Sequence, residues 1–248
     1  SYSVTGVQTC ALPISSQKMI DTARRLWLPA LPPTAVVENP IDTELYRPDP
    51  QAPGGRAPFF LFSGRLEFRK GVQVLLPAFA KAAPRIPGFE LHLAGHDTPT
   101  FALDGKVLYF REYVEKMDIP AELRARIRFL GRQGRDDLIR LYQSAYACVI
   151  PSTSFENFPY SCLEAMACGK AVIVTDSGGM TEMAPADRCG LHVKAGDADA
   201  LAGALIRLAL DPEAAERMGA AARRIVLEEP PSLHAAAGNR ASARSHPL

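Results

Sequence analysis

Short apolar runs alternate with stretches of helical period along most of this chain. FFLFS (59–63), ACVI (147–150) and AVIVT (171–175) are four or five residues long and almost wholly apolar, as strands buried on both faces are. Leu91, Leu93 and Ala94 mark another strand, 128–130 a short one ended by Gly131, and 191–193 the last. Helices are predicted over 18–26, 72–83, 107–116, 121–127 and 136–144, the last with Leu138, Ile139, Leu141 and Tyr142 at helical spacing. Pro159 suits the first position of a helix over 160–168, and Gly169 suits its stop. Asp197 suits the N-cap of a helix over 197–210, and Pro212 the first turn of one over 212–227. The stretch 98–105 reads as a loop and Ser177-Gly178-Gly179 as a turn. Strands in regular alternation with helices predict an α/β domain over 36–228, a Rossmann-like parallel sheet with helices on both faces.

The flanks break this rhythm. Within residues 1–14 the string VTGVQTCALPI matches the in-frame translation of a sequencing-adapter oligonucleotide, and the stretch is set aside as an artefact. A Pro-rich connector with a short strand at 35–37 leads into the domain. The tail 229–248 turns to Ala, Ser, Pro, His and Arg without periodicity; a frameshift near Glu229 and Pro230 and a natural irregular tail both fit it.

Composition narrows the class. The 248 residues are 47% hydrophobic and 22% charged, enough for a substantial core. A net charge of +1 argues against a nucleic-acid partner or a polybasic membrane anchor. No apolar run approaches a bilayer-spanning length, and no secretory signal is evident. The five cysteines (10, 148, 162, 168 and 189) show no C-x-x-C and no zinc spacing, and 148, 162 and 168 fall in or beside core elements. Reduced, buried thiols in a cytoplasmic protein are the expectation.

Candidate chemistry gathers at predicted strand ends, where open parallel sheets bind ligands. After the first strand, Gly64 permits close backbone approach, and Arg65 and Lys70 flank the loop into a helix N-terminus, a natural anion site. This is not G-x-G-x-x-G, which argues against a dinucleotide dehydrogenase. After the 147–150 strand comes Glu156, with Glu164 eight positions on in the next helix. Spacing alone equally fits two solvated glutamates. Free amides near Phe158, Pro159, Tyr160 and Ser161 suit phosphate oxygens. The five histidines form no constellation.

The combination GRLEFRKG at 64–71, E-x7-E within ENFPYSCLEAMACG, and DSGG after the next strand resembles the retaining nucleotide-sugar glycosyltransferases of the GT-B fold, family-4 type. The resemblance covers about 34–228 and implies the C-terminal, donor-binding domain. It implies that Arg65 and Lys70 neutralise the donor diphosphate without a metal or other cofactor. It places Glu164 on the ribose, Glu156 on the transferred hexose, and Gly131–Gln133 at the base, although an ordinary turn fits 131–133 equally. It also implies an N-terminal domain of comparable size, of which 15–35 is a remnant. That domain would carry the site for a sugar, lipid or protein acceptor and any peripheral membrane contact, so this chain is expected to be an inactive half. A GT-B nucleotide-sugar epimerase and a non-catalytic nucleotide-sugar-binding domain are the alternatives.

Overall fold

The computed structural model describes residues 16–26, 39–51, 57–101, 107–117 and 119–228. In order these form α1 (Gln17–Leu26), β1 (Phe59–Ser63), a 3₁₀ turn (Phe68–Lys70), α2 (Val72–Ala82), β2 (Glu90–Ala94), β3 (Pro99–Phe101), β4 (Val107–Tyr109), α3 (Phe110–Glu115), α4 (Ala121–Arg124) and β5 (Ile127–Gly131). They continue with α5 (Arg135–Ser144), β6 (Ala147–Ile150), α6 (Tyr160–Ala167), β7 (Ala171–Thr175), α7 (Met180–Met183), β8 (Gly190–Val193), α8 (Ala198–Leu210) and α9 (Pro212–Glu228).

Six strands make one parallel sheet in the order β5-β2-β1-β6-β7-β8. Alternate residues of each strand enter opposite cores, as the two-residue period of a strand requires. Phe60, Phe62, Leu91, Leu93, Val149 and Ile173 join α2 and α8 on one face. Leu61, Cys148, Ile150, Val172 and Val174 join α5, α6 and α9 on the other. Each large side chain so buried contributes about 1.5–3 kcal/mol. All four described cysteines are free and buried within this framework. Asp197 caps α8 by accepting from the Ala200 amide at 2.8 Å, and Pro212 opens α9.

Four predictions are corrected. The 98–105 loop and the start of the 107–116 helix contain an antiparallel hairpin in which Thr100 faces Leu108, and the helix begins only at Phe110. Asp97 ends the ambiguity there: its carboxylate accepts from the Phe110 amide at 2.8 Å and fixes the first turn of α3. Helix α4 stops at Arg124 because Ile127 is already paired with Leu91 in the sheet. Pro159 is the N-cap residue of α6 rather than its first helical position. The stretches 1–14 and 229–248 and the predicted strand at 35–37 lie outside the described residues.

Candidate active site

The chain moves outward from β1 to β2 to β5, then returns to lay β6 on the other side of β1. The loops leaving β1 and β6 therefore part in opposite directions and open a crevice at the strands' C-terminal ends. These are the loops that carry Arg65, Lys70 and Glu156.

Two close backbone approaches lock the loops together. Gly71 follows the 3₁₀ turn at φ 76°, and a Cβ there would lie 1.8 Å from the Pro151 carbonyl oxygen. On the far side Gly178, at φ 67°, admits no Cβ because the Glu156 carbonyl oxygen would be 1.9 Å away. The Gly179 amide donates to that same carbonyl at 2.8 Å. The Arg69 carbonyl accepts from the Thr153 amide at 3.0 Å and from Ser152 Oγ at 3.1 Å. Thr175 Oγ1 donates to the Ser152 carbonyl at 2.8 Å, and Ser177 Oγ to the Ser154 carbonyl at 3.0 Å. Glu156 is thus held from both neighbouring strand ends.

Glu156 is 8% exposed, and its Oε1 is engaged twice. Lys70 Nζ lies 2.7 Å from Glu156 Oε1, and Ser152 Oγ donates to the same oxygen at 2.5 Å. Arg65 is more open to solvent. Its Nη2 lies 3.4 Å from Glu67 Oε1, which also sits 2.7 Å from Arg69 Nε. Neither approach has hydrogen-bond angles, so this buried oxygen has ion-pair neighbours and no hydrogen bond. Arg69 contributes to the site through its carbonyl and shares Glu67.

Glu164 occupies a different environment on α6. Tyr142 donates to its Oε2 at 2.8 Å. Burial pushes the Glu164 carboxyl above the usual carboxylate range, and the hydroxyls of Tyr142 and Tyr46 oppose that rise. Phe158 and Pro159 are buried, whereas Tyr160 is 49% exposed. The amides of Tyr160 and Ser161 precede the first intrahelical bond, from the Cys162 amide to the Pro159 carbonyl at 3.0 Å.

The structure therefore brings Gly64, Arg65, Lys70 and Glu156 to one crevice, with the start of α6 beside it. Gln133 does not aim there. Its Nε2 turns back to the Leu130 carbonyl at 2.6 Å and lines a cavity of about 890 Å³ with Glu90, His92, Arg128 and Arg140. Sequence reasoning missed Glu67, Ser152, Tyr46 and Tyr142. The signal for Tyr142 was a phenol within an otherwise aliphatic stripe, since a buried hydroxyl needs a partner. Among the described residues no helix is long and apolar enough to cross a membrane.

Comparison with known proteins agrees with this arrangement. The model of the family "Glycosyl transferases group 1" matches residues 44–225. Glycogen synthase of Mycobacterium tuberculosis is 31% identical over 208 residues, covering 84% of this chain and 47% of that protein. The chain thus spans about half the length of the curated relatives it matches. Sucrose-phosphate synthase from Thermosynechococcus elongatus superposes with a TM-score of 0.75 at 29% identity, over 94% of this chain and 58% of that one. Anabaena HepE in complex with UDP-glucose shares the fold at 22% identity, with a TM-score of 0.66 over 86% of this chain and 58% of its own. A parallel sheet with its cationic loop and E-x7-E loop meeting at the β1/β6 switch point belongs to the C-terminal domain of a GT-B protein, and the chain is a member of the group 1 glycosyl transferases.

Proposed function

We propose that this domain holds a nucleotide sugar at the β1/β6 crevice for transfer of its hexose, with retention, to a sugar, lipid or protein acceptor. The observation that carries the reading is the 2.7 Å contact between Lys70 and Glu156. It joins a cation for the diphosphate, from the first loop, to a hydrogen-bond acceptor for the sugar, from the E-x7-E loop.

Breaking the bond between the anomeric carbon and the β-phosphate oxygen leaves both electrons on the diphosphate. Arg65, Lys70 and the amides at the start of α6 meet that charge, so the residues supply electrostatic stabilisation without a metal. The acceptor oxygen attacks from the face the leaving group departs, and its proton passes to a leaving phosphate oxygen. Glu156 accepts from hexose hydroxyls and Glu164 from the ribose diol, a task suited to ionised carboxylates. Lys70 exchanges Glu156 for phosphate as the donor enters. The base lies over the backbone of 131–133, consistent with the Gln133 side chain turning away. HepE, solved with UDP-glucose, shares the fold and supports this class of donor. Acceptor contacts are assigned outside the donor-binding domain at 36–228.

Calorimetric titration of the chain with UDP, GDP and ADP and their hexose conjugates tests the reading. One series should bind, and Arg65→Ala and Lys70→Ala should weaken it. In an enzyme that includes the acceptor-binding domain, each substitution should lower turnover by about 10²–10³-fold, more than it weakens ground-state binding. A rise in KM with kcat unchanged would reduce both residues to plain binding.

A further inference from the structure

Glu164 is accompanied by two tyrosines to which the donor reading gives no role. Tyr142, on α5, is 0% exposed, and its hydroxyl donates to Glu164 Oε2 at 2.8 Å. The same hydroxyl neighbours Ser63, the last residue of β1. Tyr46 approaches the carboxylate from the 39–51 connector. Its ring meets Tyr142 edge-on, with centroids 6.5 Å apart.

The connector is itself pinned beside α6. Arg223, on α9, donates to the carbonyls of Thr43 at 2.9 Å, Tyr46 at 2.7 Å and Ala167 at 2.8 Å. Gln143 Nε2 reaches the Arg47 carbonyl at 2.9 Å, and Asn39 Nδ2 the Phe158 carbonyl at 2.8 Å, just before α6. Tyr46 is therefore placed by a backbone clamp and not by chance contact.

Both phenols are held protonated. Burial first, then the charge of Glu164, pushes Tyr46 up to about 12 and Tyr142 well above the usual tyrosine range. Cys148 and Cys168 also face Glu164, and burial keeps both thiols protonated. The nearby cations Lys170 and Arg135 act on Cys148, Cys168 and Tyr46. A thiol is a weak donor, so the phenol hydroxyls are the stronger donors beside this carboxylate.

We propose that Tyr142 and Tyr46 are positioning residues that hold the Glu164 carboxylate in the single orientation that receives the vicinal diol of the ligand's ribose. This rests on the donor reading above. A hydroxyl on Oε2 leaves the other lone pairs free for the diol, and prevents the side chain from turning away into its buried surroundings. Each hydroxyl also favours the ionised form, so its removal raises the pH at which Glu164 takes up a proton.

The test is UDP, GDP and ADP affinity by calorimetry between about pH 8 and pH 5, spanning carboxylate and histidine titration, for the wild-type chain, Tyr142→Phe, Tyr46→Phe and Glu164→Gln. Both Phe variants keep the ring and should bind the cognate nucleotide about 3–10-fold more weakly at neutral pH. Their ratio to wild type, which cancels titration of the nucleotide itself, should widen as pH falls. Glu164→Gln should be weak throughout and lack this pH-dependent component. Tyr46 is only half-buried, so Tyr46→Phe preserves the test if Tyr142→Phe fails to fold. Both Phe variants matching wild type at every pH would overturn the inference alone. A wild-type chain that binds none of the three nucleotides would overturn the donor reading, and this inference with it.

Discussion

Lys70 and Glu156 neutralise each other across the crevice at 2.7 Å, and Ser152 completes the cluster. A diphosphate must displace the carboxylate from the ammonium before Lys70 can serve it. Glu156→Gln should therefore leave free nucleoside diphosphate binding no weaker than wild type, while slowing transfer where the acceptor domain is present. Weaker nucleotide binding in a calorimetric titration would contradict that competition. Glu164 carries a different cost. Its folded-state pKa is raised by burial, so its contribution to stability is complete at acid pH and is lost as pH rises through the raised value. Glu164→Gln should accordingly raise Tm at neutral pH, at about 2–4 °C per kcal/mol for a chain of this length, and the gain should vanish in acid. Thermal melts across pH check the sign. The types and spacing of Arg65, Lys70, Glu156 and Glu164 were legible in the sequence. Their partners were not, because Lys70 and Glu156 are 86 positions apart and Tyr142 and Glu164 are 22 apart, distances only the fold closes.

Elements meet at the site through backbone approach more than through side chains. Gly71 sits where α2 begins against the end of β6, and its positive φ and the Pro151 carbonyl both exclude a side chain. Gly71→Ala should cost about 1–3 kcal/mol from strained backbone alone. A Tm drop of several degrees, with loss of nucleotide affinity through the adjacent Lys70, is the expected readout. An unchanged Tm would mean that the β6 loop yields freely. The central strands β1, β6 and β7 were legible because each is a short apolar run whose alternate residues face two cores. The β3–β4 hairpin was not. Its strands are three residues each, and Tyr109 and Phe110 continue directly into a helix whose boundary depends on Asp97, a cap 13 positions away. Across the sheet's edge, Arg128 hydrogen-bonds Glu90 and holds that carboxyl down to about 2. This contribution is present above the usual carboxylate pKa and is lost as pH falls from there through about 2, so Glu90→Gln should shift acid unfolding to higher pH. Circular dichroism during acid titration reads the shift.

At the scale of the whole molecule, the reversal of strand order between β1 and β6 makes a single crevice of loops far apart in the chain. The α/β class was legible from alternation. The strand order was not, since nothing local specifies that β6 returns to β1. The matched relatives are about twice as long as this chain's share of them, which agrees with a donor domain that acts together with another. The central claim is that the two E-x7-E carboxylates divide one nucleotide sugar between them. It is tested most directly by titrating Glu156→Ala and Glu164→Ala with the cognate nucleoside diphosphate and then with its hexose conjugate. The account predicts that Glu164→Ala weakens both ligands, by about 1.5–3 kcal/mol for lost hydrogen bonds to a charged group, whereas Glu156→Ala spares the free nucleotide and removes the added affinity of the sugar. Equal weakening of the free nucleotide by both substitutions would contradict it.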